Sequence, residues 1–214
     1  AAERVWSGLE PEPAVQADAL RVELALAGEG TGLDAASSVE RLAAVRTGDS
    51  TTVAANACLV ALWRAQHGDT SPVDAERFRQ PARQCSWAIE LLRAAAPGAA
   101  DGDRRIAAAD SAFRNTLILE FVPRYEALLL ARVWESRGDL RRALAAIRLR
   151  MYGPGLSEGC CWREEGRLAA LAGDTAGAIR AYRTYLVMRQ DAEPLLIPQR
   201  DSVRAEVARL ERRQ

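Results

Sequence analysis

The residue types that most often carry out chemistry are few in this 214-residue chain. It has four cysteines, Cys58, Cys85, Cys160 and Cys161, and a single histidine, His67. The cysteines lack the C-x-x-C spacing of zinc ribbons and thioredoxin-like proteins, and a zinc site would need ligands far apart in sequence. We therefore expect no metal site and reduced, partly buried thiols. A disulfide between Cys58 and Cys85, across a helical hairpin in an oxidising compartment, is the alternative.

Motifs for catalysis are also missing. Every basic side chain is arginine, so there is no lysine to bind a phosphate, form a Schiff base or serve a protein kinase. No Gly-x-Ser-x-Gly elbow accompanies His67, which is expected at a helix end. The Gly28-x-Gly30-x-Gly32 run follows a predicted helix and not a strand, so it does not predict a dinucleotide site. We expect no catalytic residues, no cofactor and no enzyme activity.

Composition and charge restrict the remaining classes. The chain is 49% hydrophobic and 27% charged, which is typical of a folded domain and not of a disordered tail. Its 29 basic and 29 acidic residues balance, so broad binding to nucleic acid is disfavoured. Since no apolar run approaches the roughly 18–20 residues of a membrane helix, we expect a soluble protein without a membrane-spanning segment.

Apolar residues recur at helical spacing along the chain, and no segment alternates as a half-buried strand does. The predicted fold class is therefore all-α. Pro81 is expected to break one helix, and Asp201 or Ser202 to cap the last one. The predicted helices span residues 14–27, 34–47, 52–66, 72–96, 104–121, 124–137, 140–150, 160–171 and 175–189, followed by a C-terminal helix within 199–213 that carries Val203, Val207 and Leu210.

A repeat is the strongest pattern. The Gly-Asp turns at Gly138 and Gly173 are 35 residues apart, and Gly68 lies 70 residues before Gly138. Two helices per unit of about 34 residues is typical of tetratricopeptide repeats. The chain resembles that family over about residues 123–189. Its last unit and the following amphipathic helix also resemble C-terminal repeat segments of multidomain proteins from high-GC bacteria. The matching positions are Leu130, Ala131, Trp134, Ala143 and Leu144 in one unit, and Trp162, Gly166, Ala178 and Tyr182 in the next.

The resemblance implies a right-handed superhelix of antiparallel helical hairpins, a tetratricopeptide-like solenoid, ending in a capping helix. We expect one repeat domain over 1–214, with divergent helices in 1–50, degenerate repeats in 51–122, two clear units in 123–190 and the capping helix in 199–213. The first helix of each hairpin would line a concave groove. Carrying over the groove positions of the family predicts a partner-binding surface made of Tyr125, Leu128, Arg132, Cys160, Arg163 and Arg167.

Arginines on one groove favour an acidic ligand, because the guanidinium binds carboxylates with two parallel hydrogen bonds. The predicted function is a scaffold for protein–protein interaction, acting as an adaptor or an assembly subunit of a larger complex. Its partner would be a protein or an acidic peptide segment, and not nucleic acid. One alternative is the regulatory or sensory C-terminal segment of a bacterial kinase or transcriptional regulator. An enzyme or small-ligand sensor of unknown chemistry is another.

The compartment is left open by the sequence. A cytoplasmic location is favoured. Removal of a signal peptide, which would also account for the missing N-terminal Met, would place the protein in the periplasm.

Overall fold

The computed structural model describes residues 11–29, 34–45, 50–68, 83–116, 126–149 and 157–213, and the regular secondary structure in these ranges is helical throughout. The all-α prediction is therefore confirmed for this part of the chain. A short 3-10 helix, Pro194–Leu196, comes before the last helix. The helices are α1 (Pro11–Leu26), α2 (Ala35–Ala44), α3 (Ser50–Gln66), α4 (Arg83–Ala95), α5 (Gly102–Thr116), α6 (Glu126–Ser136), α7 (Leu140–Ile147), α8 (Ser157–Leu171), α9 (Thr175–Met188) and α10 (Ile197–Glu211).

The chain forms two compact units. Unit 1 comprises residues 1–26 and 32–102, and unit 2 comprises residues 27–31 and 103–214. Unit 2 is thus discontinuous in sequence, since it includes a short segment from near the start of the chain. The predicted boundary at residue 50 falls inside unit 1.

Unit 1 is built from consecutive helices that pack against each other, α1 on α2, α2 on α3 and α3 on α4. Asp34 caps α2, because its carboxylate accepts a hydrogen bond from the Ser37 backbone N–H at 3.0 Å. The apolar side chains of Val22, Val39 and Leu42 are buried between these helices. The start of α2 at Ala35 agrees with the helix predicted from residue 34.

Asp18 is a buried carboxylate in this unit. Its oxygens accept hydrogen bonds from Arg21 at 2.7 Å, from the Ser38 hydroxyl at 2.9 Å, and from two nitrogens of Arg41 at 2.7 and 2.8 Å. Burial acts on the pKa of Asp18 most strongly and raises it, but the bonds from Arg41, Ser38 and Arg21 together outweigh burial and lower the pKa. The charge is therefore kept and joins α1 to α2.

The cysteines divide into two chemical states. Cys58, on α3, is disulfide-bonded, so the expectation of a reduced thiol is wrong at this position. Cys85, named as its partner by the alternative expectation, has a side chain outside the described residues. Cys160 and Cys161 are buried thiols on α8, as expected. Hydrogen bonding with Cys161 and then burial raise the pKa of Cys160 well above its usual value, so this thiol stays protonated.

In unit 2, α6 packs on α7 and α8 packs on α9. Each pair is joined by a glycine with a left-handed backbone, Gly138 (φ 76°) or Gly173 (φ 79°). The next residue caps the second helix, because Asp139 accepts from the Arg142 N–H at 2.9 Å and Asp174 from the Gly177 N–H at 2.8 Å. The two connections therefore have the same structure, and the Gly-Asp pair in the sequence marks each of them.

The core of unit 2 combines large and small side chains. Leu130, Ile147 and Leu168 are fully buried, and Ala143 and Ala178 are equally buried small residues. Close packing at such density requires small residues where helix backbones approach each other.

Helix α5 is attached to α6 by polar contacts within unit 2. The indole N–H of Trp134 donates to the buried carboxylate of Asp110 at 2.9 Å, and Arg137 lies 3.0 Å from Asp103. A buried indole N–H usually finds such an acceptor, and here it orients the two helices.

The starts of two helices differ from the prediction. Helix α1 begins at Pro11, and α10 begins at Ile197 with a proline in its first turn and no side-chain cap, so neither Asp201 nor Ser202 caps it. Proline is tolerated in a first turn because the N–H it lacks has no helical partner there. The predicted break at Pro81 lies outside the described residues.

Candidate functional site

The helices α6, α8, α9 and α10 of unit 2 border an open cavity of about 930 Å³, which we call the arginine groove. Among the described residues its charged lining consists of five arginines and three glutamates, an excess of two positive charges. Such an excess in one concave surface favours an anionic ligand. The charged lining residues are Arg132, Arg163, Arg167, Arg209, Arg212, Glu135, Glu164 and Glu206.

Two of these arginines are neutralised by carboxylates. Arg167 donates to Glu164 at 2.8 and 2.9 Å and to Glu135 at 2.8 Å and through a second, shorter bond. Arg209 donates to both oxygens of Glu206, from Nε at 2.6 Å and from Nη2 through a shorter bond. Since Glu135 lies on α6, Arg167 joins α8 to that helix. The hydrogen bonds to the carboxylates of Glu164 and Glu135 raise the pKa of Arg167.

Glu164 is ionised despite its burial. Burial has the largest effect on its pKa and raises it, but the hydrogen bonds and charge of Arg167, together with the charges of Arg132 and Arg163, outweigh burial and lower the pKa. The arginine groove therefore contains both positive and negative charges at fixed positions.

Arg132 and Arg163 contact backbone carbonyls. Arg132 Nη2 donates to the carbonyl oxygen of Ala27 at 3.1 Å, and Arg163 Nη2 donates to that of Gly28 at 3.0 Å. Burial, the largest cause, lowers the pKa of Arg132. In the described part of the chain Arg163 forms no ion pair, so most of its donors are available to a ligand in the groove.

The acceptors of these bonds belong to a short piece of unit 2, residues 27–29, which we call the 27–29 segment. Gln199 on α10 also donates to the Gly28 carbonyl, at 3.3 Å, and accepts from the Tyr185 hydroxyl at 3.3 Å. Gly28 has φ +72°, and a Cβ at this position would lie 2.9 Å from Arg132 Nη2. Only glycine combines this backbone conformation with so close an approach.

Glu29 ends the segment with a buried charge. Its carboxylate lies 2.6 Å from Arg189, which directly follows α9, and its side chain has no solvent-exposed surface. Burial raises the pKa of Glu29, and the charges of Arg189 and Arg163 act in the opposite direction. Gly159 leaves room for this pair, because a Cβ there would lie 2.7 Å from the Arg189 guanidinium.

The structure brings three of the six predicted groove residues together, since Arg132, Arg163 and Arg167 line one cavity. Leu128 and Cys160 are instead buried in the core, where a partner does not reach them. Tyr125 lies outside the described residues. A binding role for the arginines stays a prediction.

Sequence reasoning missed Arg209, Arg212 and Gln199, because α10 was assigned only a capping role. It also missed Glu29 and Arg189, which are 160 residues apart. No local spacing signals such a pair. The one usable signal was Gly28, a glycine directly after a predicted helix.

A second, smaller cleft of about 470 Å³ lies in unit 1 and includes Trp63, Arg64 and His67 among its lining residues. His67 Nδ1 lies 2.8 Å from the Trp63 carbonyl oxygen, and the two rings are 4.1 Å apart between centroids. The ring therefore satisfies a carbonyl at the end of α3, as expected for a helix-end histidine.

Comparison with protein-family models, with curated proteins and with solved structures finds no match to this chain. Function must therefore be argued from the geometry of the groove. None of the helices in the described ranges has both the length and the apolar character required to cross a bilayer.

Proposed function

We propose that the protein is a non-enzymatic scaffold for protein–protein interaction, an adaptor or assembly subunit whose arginine groove binds an acidic segment of a partner protein. The observation that carries the proposal is the convergence on one open cavity of five arginines from α6, α8 and the C-terminal end of α10. We also propose that α6–α7 and α8–α9 are repeats of the tetratricopeptide type, supported by their identical Gly-Asp connections.

The dimensions and chemistry of the groove suit an extended peptide more than a small metabolite. The cavity is open, and most of its lining residues are polar or charged, whereas small-molecule sites are mostly enclosed and apolar. Arginine forks also recognise carboxylates through two parallel bonds, which gives direction as well as charge.

The arginines are not equivalent in this proposal. Arg167 and Arg209 already hold carboxylates of the chain itself, so they stabilise the groove. Arg163 and Arg212 form no ion pair with any described residue. These two side chains are therefore the ones proposed to contact the carboxylates of the partner.

The experiment uses a fluorescein-labelled peptide of alternating glycine and glutamate, with a glycine–glutamine peptide as the neutral control. Fluorescence anisotropy should show binding of the acidic peptide only, and the affinity should fall with added salt. The double variant Arg163→Ala/Arg212→Ala should weaken binding at least about tenfold, because charge-assisted bonds contribute about 1.5–3 kcal/mol each.

Arg183 provides the matched control. It is exposed on α9, pairs with Glu211 outside the groove, and its replacement by alanine removes one positive charge from the same unit. We expect Arg183→Ala to bind the acidic peptide as the wild type does. Equal affinities for the control and for the double variant would contradict the proposal.

A further inference from the structure

The 27–29 segment contacts the groove as a bound peptide would. Two consecutive carbonyls, those of Ala27 and Gly28, accept hydrogen bonds from Arg132, Arg163 and Gln199. All three donors are also lining residues of the arginine groove. The segment therefore occupies three lining side chains of the groove, and one of them, Arg163, is also assigned to the partner by the proposed function.

The contact of Glu29 with Arg189 is enclosed but incomplete. One oxygen of Glu29 lies 2.6 Å from Arg189 Nη2, whereas Glu29 Oε1 and Arg189 Nε are buried and have no hydrogen-bond partner among the described residues. A buried charge with an unsatisfied polar atom is costly, and guanidinium–carboxylate pairs are strongest when both oxygens are used. A carboxylate that is not part of the 27–29 segment is free to approach the Arg189 guanidinium with both of its oxygens.

The sequence around Glu29 also favours release of the segment. Gly28, Gly30 and Gly32 surround it, and glycine loses more conformational freedom than any other residue when it is held in one conformation. Fixing this segment on the groove is thus entropically unfavourable, which offsets part of its contact energy.

From these contacts we infer that the space filled by Glu29, formed by Arg189, Gly159 and Arg163, is a second carboxylate site of the groove, and that an aspartate or glutamate of the acidic partner segment takes it when the 27–29 segment leaves. The inference rests on the proposed function. Glu29 is then a resident ligand that competes with the partner.

Competition gives a measurable consequence. The apparent affinity of a ligand is reduced by the fraction of molecules in which its site is open, so removing the resident carboxylate must increase it. We expect Glu29→Gln to bind the glycine–glutamate peptide at least about fivefold more tightly than the wild type, if the resident occupies most sites. Adding Arg189→Gln to Glu29→Gln should abolish that gain.

Glu211→Gln is the matched control for the change in net charge. Glu211 is also paired with an arginine of unit 2, but it does not line the groove. An affinity of Glu29→Gln equal to that of the wild type or of Glu211→Gln overturns the inference. Circular dichroism verifies that each variant is folded.

Glu29→Asp keeps the test decisive where Glu29→Gln fails to fold. The shorter side chain retains the charge but withdraws the carboxylate from Arg189, so a smaller gain in affinity is expected, and no gain overturns the inference. The outcomes separate the two ideas. Loss of binding in Arg163→Ala/Arg212→Ala with no gain in either Glu29 variant removes only the second site. No binding by any protein removes the proposed function as well.

Discussion

Gly166 on α8 and Tyr182 on α9 are in such close contact that a Cβ on the glycine would lie 2.4 Å from Cδ1 of the tyrosine ring. Real Cβ atoms do not approach other atoms to that distance. Tyr182 is buried against α8, and burial, the largest cause, raises its pKa to about 12. The packing of α8 on α9 therefore depends on the missing side chain at position 166.

The first prediction concerns the sign of a glycine-to-alanine change. Inside a helix this change normally stabilises by about 0.5–1 kcal/mol. Gly166→Ala should instead lower the free energy of unfolding by about 1–3 kcal/mol, because the methyl group overlaps the Tyr182 ring. Urea denaturation followed by circular dichroism measures the difference. In the background Tyr182→Ala the same substitution should cost much less, and a cost that is unchanged there would contradict the contact.

The second prediction separates the two roles of arginine in the groove. Arg167→Ala should lower the free energy of unfolding by about 1 kcal/mol, a value that allows for the partial exposure of its ion pairs to Glu135 and Glu164. Arg163→Ala should change stability by less than about 0.5 kcal/mol, since it loses one exposed hydrogen bond. Thermal denaturation of both variants compares them directly. Equal destabilisation would show that the assignment of roles is incorrect.

The third prediction follows from Asp18. Since its pKa is lowered in the folded state, its stabilising contribution is present above the ordinary value of 3.8 and is lost as the pH falls through the lower, folded value. Asp18→Asn should therefore destabilise by about 2 kcal/mol near neutral pH and by much less below about pH 3. Urea midpoints at the two pH values give the comparison. A destabilisation that is the same at both would contradict an ionised Asp18.

Glu29 gives a pH dependence of the opposite sign. Burial raises its folded pKa, so its contribution to stability is largest at acidic pH and declines as the pH rises through the raised value. Between about pH 4.5 and pH 7 the wild type should lose stability relative to Glu29→Gln. Denaturation of both proteins across this range measures the difference. Parallel curves would show that Glu29 has an ordinary pKa.

The fifth prediction concerns the cysteines. Alkylation of the protein in urea without a reductant should modify Cys160 and Cys161 but leave Cys58 unmodified, because only Cys58 of these three is disulfide-bonded. Peptide mass spectrometry identifies the modified positions. Reduction should also lower the free energy of unfolding by about 2–4 kcal/mol. Alkylation of Cys58 before reduction would contradict the disulfide.

The sequence predicted most helices closely because local signals mark them. Gly173 and Asp174 define where α8 ends and α9 begins, through the left-handed backbone of one and the carboxylate cap of the other. The start of α10 was misjudged since Pro198 resembles a helix breaker when it in fact lies in the first turn. Local chemistry therefore predicts the Gly-Asp turns well, and a helix that begins near a proline less well.

The groove was only partly predictable for a different reason. Arg132, Arg163 and Arg167 were predicted from the repeat register that the sequence resembles, because such a register can be extended from one unit to the next. The 27–29 segment joins Arg132 across 105 residues and Gln199 across 171, and no periodic pattern encodes such contacts. Leu128 shares the repeat register but is apolar, so it is buried where arginine remains at the surface.

The detour of residues 27–31 into unit 2 affects the order in which the protein can fold during synthesis. The helix pairs α6–α7 and α8–α9 make contacts between near neighbours in the chain, and such contacts form quickly. The bond from Gln199 to Gly28 needs nearly the whole polypeptide to have left the ribosome. Newly made chains should thus hold Glu29 unpaired until Arg189 emerges, and the groove is completed only later, when α10 brings Gln199, Arg209 and Arg212 to it.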